Sequence, residues 1–249
     1  MRKFTKATTL CVMIGLLAVG QAFASNFWAD HTSQPGTESI DDKTFYSITT
    51  AEELAWFALQ TEPKKVTSDI NISLNAILKN DIDLAGKIWT PICPGAGNVY
   101  FNGVFDGGGH SIKNMTIDSD SIYSRYFGLY GYDGNNIEDS KKNYGKRYAQ
   151  NAALIGTLGS GTVKNLALEN ISFYVTNSSN DDRQISVGAV VGWKSAKGGT
   201  IDFCSASGTI ITSGVKQGVG GLVGNAHSST IKNSISYVNI LASGNNAYV

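Results

Sequence analysis

Hydrophobic residues in the second half of the chain recur in a glycine-bounded pattern. Segments 220–224 (GGLVG) and 188–192 (GAVVG) each precede an alternating segment, 230–234 (TIKNS) and 200–204 (TIDFC) respectively. Earlier copies of the same pattern are 154–156 (LIG) with 162–166 (TVKNL), and 111–115 (SIKNM). Recurrence of one pattern along the chain indicates a repeat architecture.

The spacing of these copies defines a unit of about 30 residues. The equivalent positions are Ile112, Val163, Ile201 and Ile231, so the successive spacings are 51, 38 and 30. The two longer spacings exceed the shortest by 21 and 8, and the larger excess matches the polar segment 132–152. We interpret the extra residues as loops inserted into a regular scaffold.

Apolar and polar residues alternate within each copy, as expected of strands with one buried face. A single unit cannot bury that face, whereas units stacked about 4.8 Å apart can. The sequence therefore predicts an all-β fold, a parallel β-helix (β-solenoid) over residues 93–249 with a loop insertion at 132–152. Inward side chains should form rows in which each residue lies on its counterpart in the next strand. The predicted rows are Met115, Leu166, Cys204 and Ser234, and Ile117, Leu168, Ala206 and Ser236.

Three copies carry an asparagine after their Ile-Lys or Val-Lys pair. These residues are Asn114, Asn165 and Asn233, and Phe203 takes that place in the fourth copy. Stacked asparagine amides can form a ladder of hydrogen bonds. The pattern predicts a ladder with a structural role.

Residues 25–92 are predicted to form a leader and a capping segment. Residues 47–60 have a helical pattern, because Thr50 is a candidate N-cap with Glu53 three residues later. Its apolar face contains Leu54, Phe57 and Ala58. Residues 75–92 have the pattern of short strands. An amphipathic helix here would cover the open end of a strand stack, which otherwise invites aggregation.

Residues 1–24 have the organisation of a secretory signal peptide. Basic residues precede an apolar run at 10–19, and the small residues of 22–24 (AFA) suit cleavage after Ala24. That run is too short to cross a bilayer, which needs about 20 apolar residues. We therefore expect a mature chain that is secreted or displayed at the cell surface and has no membrane span.

Composition and charge narrow the class of partner. Glycine contributes 28 of the 249 residues and proline only 4, which favours tight turns over proline-rich linkers. The chain has 20 basic and 20 acidic residues, and cleavage after Ala24 would remove three basic ones and leave a net charge of about −3. Nucleic acid is therefore not expected as the main partner.

Cleavage would also leave Cys93 and Cys204 as the remaining cysteines. The repeats place them at least two layers apart, on the order of 10 Å. A disulfide needs Cα atoms within about 7 Å of each other. We predict two free thiols, with Cys204 an inert core residue.

The repeat resembles the bacterial GLUG motif, which is named for its Gly-Leu-x-Gly core. The resemblance is carried by 220–224 with 230–234, and by the upstream segments 78–84 (LKNDIDL), 89–92 (WTPI) and 101–112 (FNGVFDGGGHSI). It covers about residues 45–249 and implies a secreted or surface protein, as in adhesin-like proteins and in non-catalytic regions of immunoglobulin-A-cleaving metallopeptidases. The His-Glu-x-x-His zinc site of those peptidases has no counterpart in this sequence, so their activity is not implied.

Catalytic, cofactor-binding and metal-binding residues are not expected, because the sequence has no matching motif. Asp81, Asp83 and Asp106, the last near His110, are the carboxylates that a polysaccharide lyase or hydrolase of parallel β-helix type could use. The sequence favours the alternative, that they are turn and strand-end residues. Segment 133–139 (DGNNIED) resembles a calcium loop only loosely, because its glycine comes too early.

Ligand recognition is predicted in two places. The insertion at 132–152 has basic residues interleaved with aromatic ones, and loops on rigid scaffolds often bind ligands. Its candidate ligand-binding residues are Lys141, Lys142, Tyr144, Lys146, Arg147 and Tyr148. Trp193 follows a glycine core at the predicted start of a corner loop, where its ring is either exposed for stacking on a sugar or packed against a neighbouring loop. For the insertion, the alternative is an ordinary solvated loop.

Taken with the export signal, these features predict a non-catalytic β-solenoid for adhesion, with an extracellular polymer or surface receptor as partner and a glycan among the candidate ligands. The alternative is the N-terminal scaffold region of a larger secreted hydrolase, either a peptidase or a polysaccharide-active enzyme. That alternative is motivated by Val249, which is in register with Val219 where another glycine core would begin. Further repeats or a domain are therefore expected C-terminal to Val249.

Overall fold

A computed structural model describes the chain at residues 26–62, 70–94, 99–130, 151–177, 184–195, 198–228, 230–244 and 247–249. The regular structure of these residues is mostly β-strand. The helices among them are the 3-10 turn Trp28–Asp30, α1 (Ala51–Gln60) and α2 (Ser119–Tyr130). None of the described helices is long and apolar enough to cross a membrane.

The described strands form three sheets, and every pair is parallel except the antiparallel hairpin of residues 36–40 and 43–48. Sheet 1 contains β1 (Gly36–Ile40), β2 (Lys43–Ile48), β4 (Asn75–Leu78), β5 (Ile82–Asp83), β7 (Val104–Asp106), β8 (Ser111–Lys113), β9 (Thr116–Asp118), β12 (Thr162–Asn177), β15 (Thr200–Gly214), β18 (Thr230–Lys232) and β19 (Ile235–Ser243). Sheet 2 contains β10 (Asn151–Ala152), β13 (Ile185–Gly188), β16 (Gln217–Gly220) and β20 (Ala247–Tyr248). Sheet 3 contains β3 (Ile70–Ile72), β6 (Val99–Phe101), β11 (Ile155–Leu158), β14 (Val191–Lys194) and β17 (Val223–Ala226). The predicted all-β class with parallel sheets is confirmed.

Successive strands visit the sheets in a fixed order. Strands β10, β11 and β12 lie in sheets 2, 3 and 1, and this order recurs from β13 to β15 and from β16 to β18. Val163 pairs with Ile201, and Ile201 pairs with Ile231, so the predicted register of these three copies is confirmed. The glycine cores 188–192 and 220–224 lie where the chain passes from sheet 2 to sheet 3.

The predicted register of the first copy is wrong. Phe105 pairs with Val163, in the place predicted for Ile112. Gly108 and Gly109, with φ angles of 59° and 80°, form a turn between β7 and β8 that adds two residues relative to the matching part of β12. Glycine suits this turn because it adopts positive φ without steric cost.

The two predicted rows of inward side chains change accordingly. Ile117 pairs with Phe173 and not with Leu168. Met115 does not lie on Leu166, because its carbonyl accepts a hydrogen bond from the Ser172 amide further along β12. The later members are confirmed, because the structure pairs Leu166 with Cys204, Leu168 with Ala206 and Ala206 with Ser236.

Sheet 1 also includes strands that precede residue 93. Tyr46 pairs with Ala76, and Ala76 pairs with Phe105. Both pairs join positions that are about 30 residues apart, the length of one repeat unit. The period therefore extends into residues 25–92, for which the sequence predicted a leader and a cap.

Helix α1 begins directly after its predicted N-cap. Thr50 Oγ1 accepts a hydrogen bond from the Glu53 amide at 3.3 Å, and Glu53 Oε2 accepts one from the Thr50 amide at 3.2 Å, which completes the capping box. The predicted apolar face is buried, and the Phe57 ring centre lies 6.3 Å from that of Phe101 and 6.2 Å from that of Phe105. The helix is shorter than predicted, because the first residues of that segment belong to β2.

Helix α2 was not predicted from the sequence. The Ser121 amide donates to Asp118 Oδ1 at 2.7 Å, an N-cap type of hydrogen bond that starts the helix directly after β9. A capping side chain thus directs the chain from β9 into a helix.

Candidate functional site

Trp193 is the predicted ligand-binding residue that the structure describes. The six residues of the insertion, Lys141, Lys142, Tyr144, Lys146, Arg147 and Tyr148, lie outside the described residues, as does segment 133–139. The candidate site is therefore built around Trp193.

Trp193 lies in strand β14 of sheet 3, where it pairs with Thr157 of β11 and Asn225 of β17. The predicted position at the start of a corner loop is wrong, because the chain re-enters a strand only two residues after β13. Each residue of this row directly follows the last glycine of a core. The repeat therefore fixes the position of the tryptophan within the sheet.

Three rings from different strands and turns meet at this position, and we call Tyr100, Trp193 and His227 the aromatic cluster. The ring centre of Trp193 lies 6.1 Å from that of Tyr100 and 6.2 Å from that of His227. Tyr100 is 8% exposed, Trp193 is partly exposed and His227 is exposed. Trp193 thus packs against neighbouring rings and still presents part of its surface to solvent.

The surroundings of the aromatic cluster are held by strand pairing and side-chain hydrogen bonds. Buried Thr157, on the strand between those of Tyr100 and Trp193, accepts a hydrogen bond from Asn151 Nδ2 at 3.0 Å. The His227 amide donates to the Lys194 carbonyl at 3.1 Å. Rings on paired strands keep a fixed geometry better than rings on loops do.

Polar groups border the aromatic cluster. Asn225, next to Trp193 in the row, donates from Nδ2 to Gln184 Oε1 at 3.3 Å, and Gln184 is exposed. The imidazole of His227 can donate and accept hydrogen bonds. Aromatic surface bordered by hydrogen-bonding groups suits a ligand that has both apolar faces and hydroxyl groups.

Sequence reasoning found Trp193 and missed Tyr100 and His227. His227 stands three residues after the last glycine of its core, as Ser195 does in the preceding copy. Alignment of the copies could therefore have placed His227 one repeat after Ser195, which stands two residues beyond Trp193. Tyr100 precedes the copies with a clear glycine core, so the pattern gave no signal for it.

Among the carboxylates considered for catalysis, Asp81 is bound to the neighbouring repeat. Its Oδ1 accepts from the Ser111 amide at 3.0 Å, and its Oδ2 lies 2.9 Å from Lys113 Nζ. His110 Nδ1 lies 3.5 Å from Asp81 Oδ1. The Ser111 hydrogen bond, followed by the Lys113 contact, holds the pKa of the Asp81 carboxyl far below its usual range.

Asp83 and Asp106 share an interaction that recurs elsewhere in the stack. Each accepts a hydrogen bond from an asparagine of the next repeat. The Oδ1–Nδ2 distances are 2.9 Å for Asp83 with Asn114, 3.0 Å for Asp106 with Asn165 and 2.9 Å for Asp202 with Asn233. Because Asp202 forms the same pair without having been a catalytic candidate, the recurrence supports the turn and strand-end interpretation of Asp83 and Asp106.

The predicted ladder of Asn114, Asn165 and Asn233 is wrong. Asn114 Oδ1 accepts from Asn170 Nδ2 at 2.7 Å, so these two share a row, and Asn165 belongs to another. All three predicted members have φ between 50° and 56°. Asparagine recurs because it tolerates this left-handed backbone better than most residues do.

The hydrogen bonds to Asp83 and Asp106 also lower the pKa of both carboxyls. For Asp83 the causes are the Asn114 amide group and then the Ala85 backbone amide. For Asp106, burial raises the pKa, but hydrogen bonds from Gly108, Asn165 and Lys164 outweigh it. A glycosidase general acid needs a raised pKa, so these carboxylates favour a structural role.

The predicted free thiols are confirmed. Cys93 and Cys204 are both buried and unbridged. Burial raises the pKa of both thiols, that of Cys204 to about 11. Both therefore stay protonated at neutral pH and act as small core residues.

Lys194 is a residue that the sequence did not single out. It is fully buried, and its Nζ atom has no hydrogen-bond partner within the described part of the chain. It pairs with Leu158 and Ala226 in sheet 3, and Leu158 in turn pairs with Phe101. Burial lowers the pKa of the Lys194 amine, because the charged form loses its hydration.

We expect Lys194→Met to raise the free energy of unfolding by about 1–3 kcal/mol at pH 7, because it removes a buried amine without a partner among the described residues. The free-energy cost of burying the charged Lys194 amine has its full value below the lowered pKa that this amine has in the folded state. It disappears as the pH rises from that value to the ordinary lysine pKa of 10.5, where the unfolded state also loses its proton. Urea unfolding of the variant and the wild type measures this effect. The increase in the free energy of unfolding should be smaller at pH 10 than at pH 7.

Lys43→Met is the control for this experiment, because Lys43 is exposed. It should change the free energy of unfolding by less than about 0.5 kcal/mol at either pH. If Lys194→Met were less stable than the wild type, the Lys194 amine would have to form hydrogen bonds in solution.

Neither family models, curated proteins nor solved structures match this chain. The resemblance to the GLUG motif therefore stays a prediction, and function has to be inferred from the residues and their geometry. Within the described residues, His, Cys, Asp and Glu form no group of three that could hold a metal ion.

Proposed function

We propose that this protein is an exported, non-catalytic β-solenoid that binds an extracellular carbohydrate through the aromatic cluster. The observation that carries the proposal is the partly exposed Trp193 ring, placed between Tyr100 and His227 on a sheet of parallel strands. Sugar rings have apolar faces that stack on aromatic side chains and hydroxyl groups that bond to polar neighbours.

The solenoid architecture is supported by the path of the chain. From β10 to β18, each repeat passes through sheets 2, 3 and 1 in the same order and pairs in parallel with the next. Tyr46 pairs with Ala76, and Ile201 pairs with Ile231. A spacing of about 30 residues between partners is typical of stacked repeat units. The GLUG resemblance suggests the same architecture and an extracellular setting.

The insertion at 132–152 returns to the scaffold next to the aromatic cluster. Its penultimate residue, Asn151, begins β10 and donates to Thr157, which pairs with Trp193. The predicted role of the basic and aromatic residues of the insertion in ligand binding is part of this proposal. Loops anchored beside a rigid sheet are common positions for ligand contacts.

A non-catalytic role is supported by the candidate carboxylates. Asp81, Asp83 and Asp106 are bound to neighbouring repeats, and their pKa values are lowered. These carboxylates stabilise the stack and lack the raised pKa of a general acid.

A glycan array followed by calorimetric titration of the best ligand tests this function. We expect Trp193→Ala to weaken binding at least about tenfold, because it removes the stacking surface at the centre of the aromatic cluster. Tyr174→Ala is the matched control, since Tyr174 is an exposed aromatic residue of sheet 1. Replacing Tyr144 and Tyr148 together should also weaken binding, because both are predicted ligand-binding residues.

Two results would contradict the proposal. One is that the wild-type chain retains no glycan, and the other is that Trp193→Ala binds as tightly as the wild type. Unfolding midpoints of all variants should be compared, so that a loss of binding is not confused with a loss of structure.

A further inference from the structure

A row of side chains crosses sheet 3 in the direction in which the repeats stack, and we call it the axial row. Neighbouring members of the row pair with each other. The neighbours Tyr100 and Thr157 are placed by the pairing of Phe101 with Leu158, the residues that follow them. Strands of a sheet lie about 4.8 Å apart, so the four spacings of this row extend over about 19 Å. The members, taken from β3, β6, β11, β14 and β17 in that order, are Asn71, Tyr100, Thr157, Trp193 and Asn225.

The aromatic rings of the row extend in the same direction. Strands β6 and β14 are two spacings apart, about 10 Å, but the ring centres of Tyr100 and Trp193 are only 6.1 Å apart. The two rings therefore lean towards each other over the strand between them, where Thr157 is 1% exposed. His227, which directly follows β17 in the next layer, brings a third ring to 6.2 Å from that of Trp193. The aromatic surface thus follows the stack from layer to layer and does not follow a strand.

Amide side chains flank these rings along the stack. Asn71 is exposed, and its Oδ1 accepts a hydrogen bond from Asn102 Nδ2 at 2.8 Å. Asn225 is partly exposed and donates from Nδ2 to Gln184 Oε1. An amide side chain has two donor hydrogens and an acceptor oxygen with two lone pairs, so one such bond leaves capacity for a ligand. The row therefore offers hydrogen-bonding groups on either side of its aromatic centre.

The length and the composition of the axial row limit the kind of ligand that can use it. None of its five members is charged, so the row suits sugar rings and hydroxyl groups. It is several times longer than one sugar ring, and a single terminal sugar on Trp193 would leave most of it unused. The full row can be used only by a chain that stays straight over the same distance.

We propose that the ligand is a linear, extended polysaccharide whose chain lies along the axial row, parallel to the stacking direction, with one sugar ring on Trp193 and others reaching Asn71. This inference rests on the proposed function and specifies its ligand as an internal stretch of chain and not a terminal sugar. Chains of β-1,4-linked glucose, xylose, mannose or N-acetylglucosamine have the required straight shape, whereas α-1,4-linked glucose coils.

Calorimetric titration with β-1,4-linked oligosaccharides of each of these four sugars, from dimer to hexamer, tests the dependence on chain length. In at least one series the hexamer should bind at least about tenfold more tightly than the dimer, because each added contact strengthens binding by roughly three- to tenfold. Oligomers of α-1,4-linked glucose are the matched control. Their affinity should not rise in this way, because a coiled chain leaves the row after a few units.

Asn71→Ala tests the direction of the bound chain. Asn71 lies three spacings, about 14 Å, from Trp193, a distance that a hexamer bound at Trp193 can span and a dimer cannot. The variant should weaken hexamer binding at least about threefold and leave dimer binding unchanged, whereas Trp193→Ala should weaken both. Unchanged dimer binding also shows that the Asn71→Ala variant is folded.

Asn80→Ala is the matched control for Asn71→Ala. Asn80 is also an exposed asparagine, and its Nδ2 donates to the Thr49 carbonyl beside sheet 1, away from the axial row. Its replacement should change the affinity for neither oligosaccharide.

Three outcomes would overturn this inference. They are an absence of binding in all four β-1,4-linked series, equal affinities for dimer and hexamer, and an Asn71→Ala variant that binds the hexamer as tightly as the wild type. If the glycan array still identifies a ligand in these cases, the proposed function stands and the axial path alone is wrong. If the array retains nothing, both are wrong.

Discussion

Replacement of Phe173 by alanine is expected to lower the free energy of unfolding by about 3–5 kcal/mol. The Phe173 side chain is fully buried, in a row with Ile117 and Ile210 on the neighbouring strands. Backbone hydrogen bonds fix those strands about 4.8 Å away, so the row cannot close over the cavity. Urea unfolding of the variant and the wild type gives the difference directly.

Tyr174→Ala provides the matched control, because Tyr174 is the next residue of the same strand and is 48% exposed. This substitution should lower the free energy of unfolding by less than about 1 kcal/mol. Equal losses for the two alanine variants would show that the assignment of inward and outward faces in β12 is wrong.

Gly188→Ala is expected to lower the free energy of unfolding by about 3 kcal/mol, the upper range for overpacking. A Cβ atom at this position would lie 2.5 Å from the Val191 carbonyl oxygen, 2.6 Å from the Gly224 nitrogen and 2.8 Å from the Leu222 carbonyl oxygen. All three are backbone atoms in, or within two residues of, the turns from sheet 2 to sheet 3, so no side chain can move aside. Thermal unfolding together with urea unfolding measures the loss.

Gly36→Ala is the control for that substitution, because nothing lies within 4 Å of a Cβ atom there. Its stability should equal that of the wild type or rise slightly, since alanine restricts the unfolded chain. If Gly188→Ala were as stable as Gly36→Ala, the glycine cores would not be needed for close approach of the turns.

Much of the fold could be predicted because its signals are local. The pairing of Val163 with Ile201, and of Ile201 with Ile231, follows from the distance between similar segments. The start of α1 follows from Thr50 and Glu53, whose capping box depends only on residues three apart.

The first register could not be predicted, because two similar segments occupy different rows. Asn114 and Asn165 follow similar residues and share a left-handed backbone, with φ of 56° and 52°. The resemblance of their segments therefore reflects a common local conformation and not a common position in the stack. The turn at Gly108 and Gly109, which shifts the register, has no equivalent in the matching part of β12.

Only part of the candidate site could be predicted, because one of its residues has a local sequence signal and the others do not. Trp193 stood out as a large aromatic residue beside a glycine core. Its partners Tyr100 and His227 come from other strands and turns, so their proximity depends on the order of stacking. Lys194 stayed hidden because a lysine near a turn is normally exposed, and only the pairing of β14 places its side chain in the core.

The pairing of successive segments in sheet 1 sets the order in which the chain can assemble. Tyr46 pairs with Ala76 and Ile201 pairs with Ile231, so each partner follows one repeat later in the sequence. Each new repeat therefore needs only its predecessor as a template, and none of the described strands of sheet 1 waits for a partner from the far end of the chain. Folding can advance from the N-terminal end as the polypeptide emerges, one layer at a time, with α1 and the β1–β2 hairpin as its starting point.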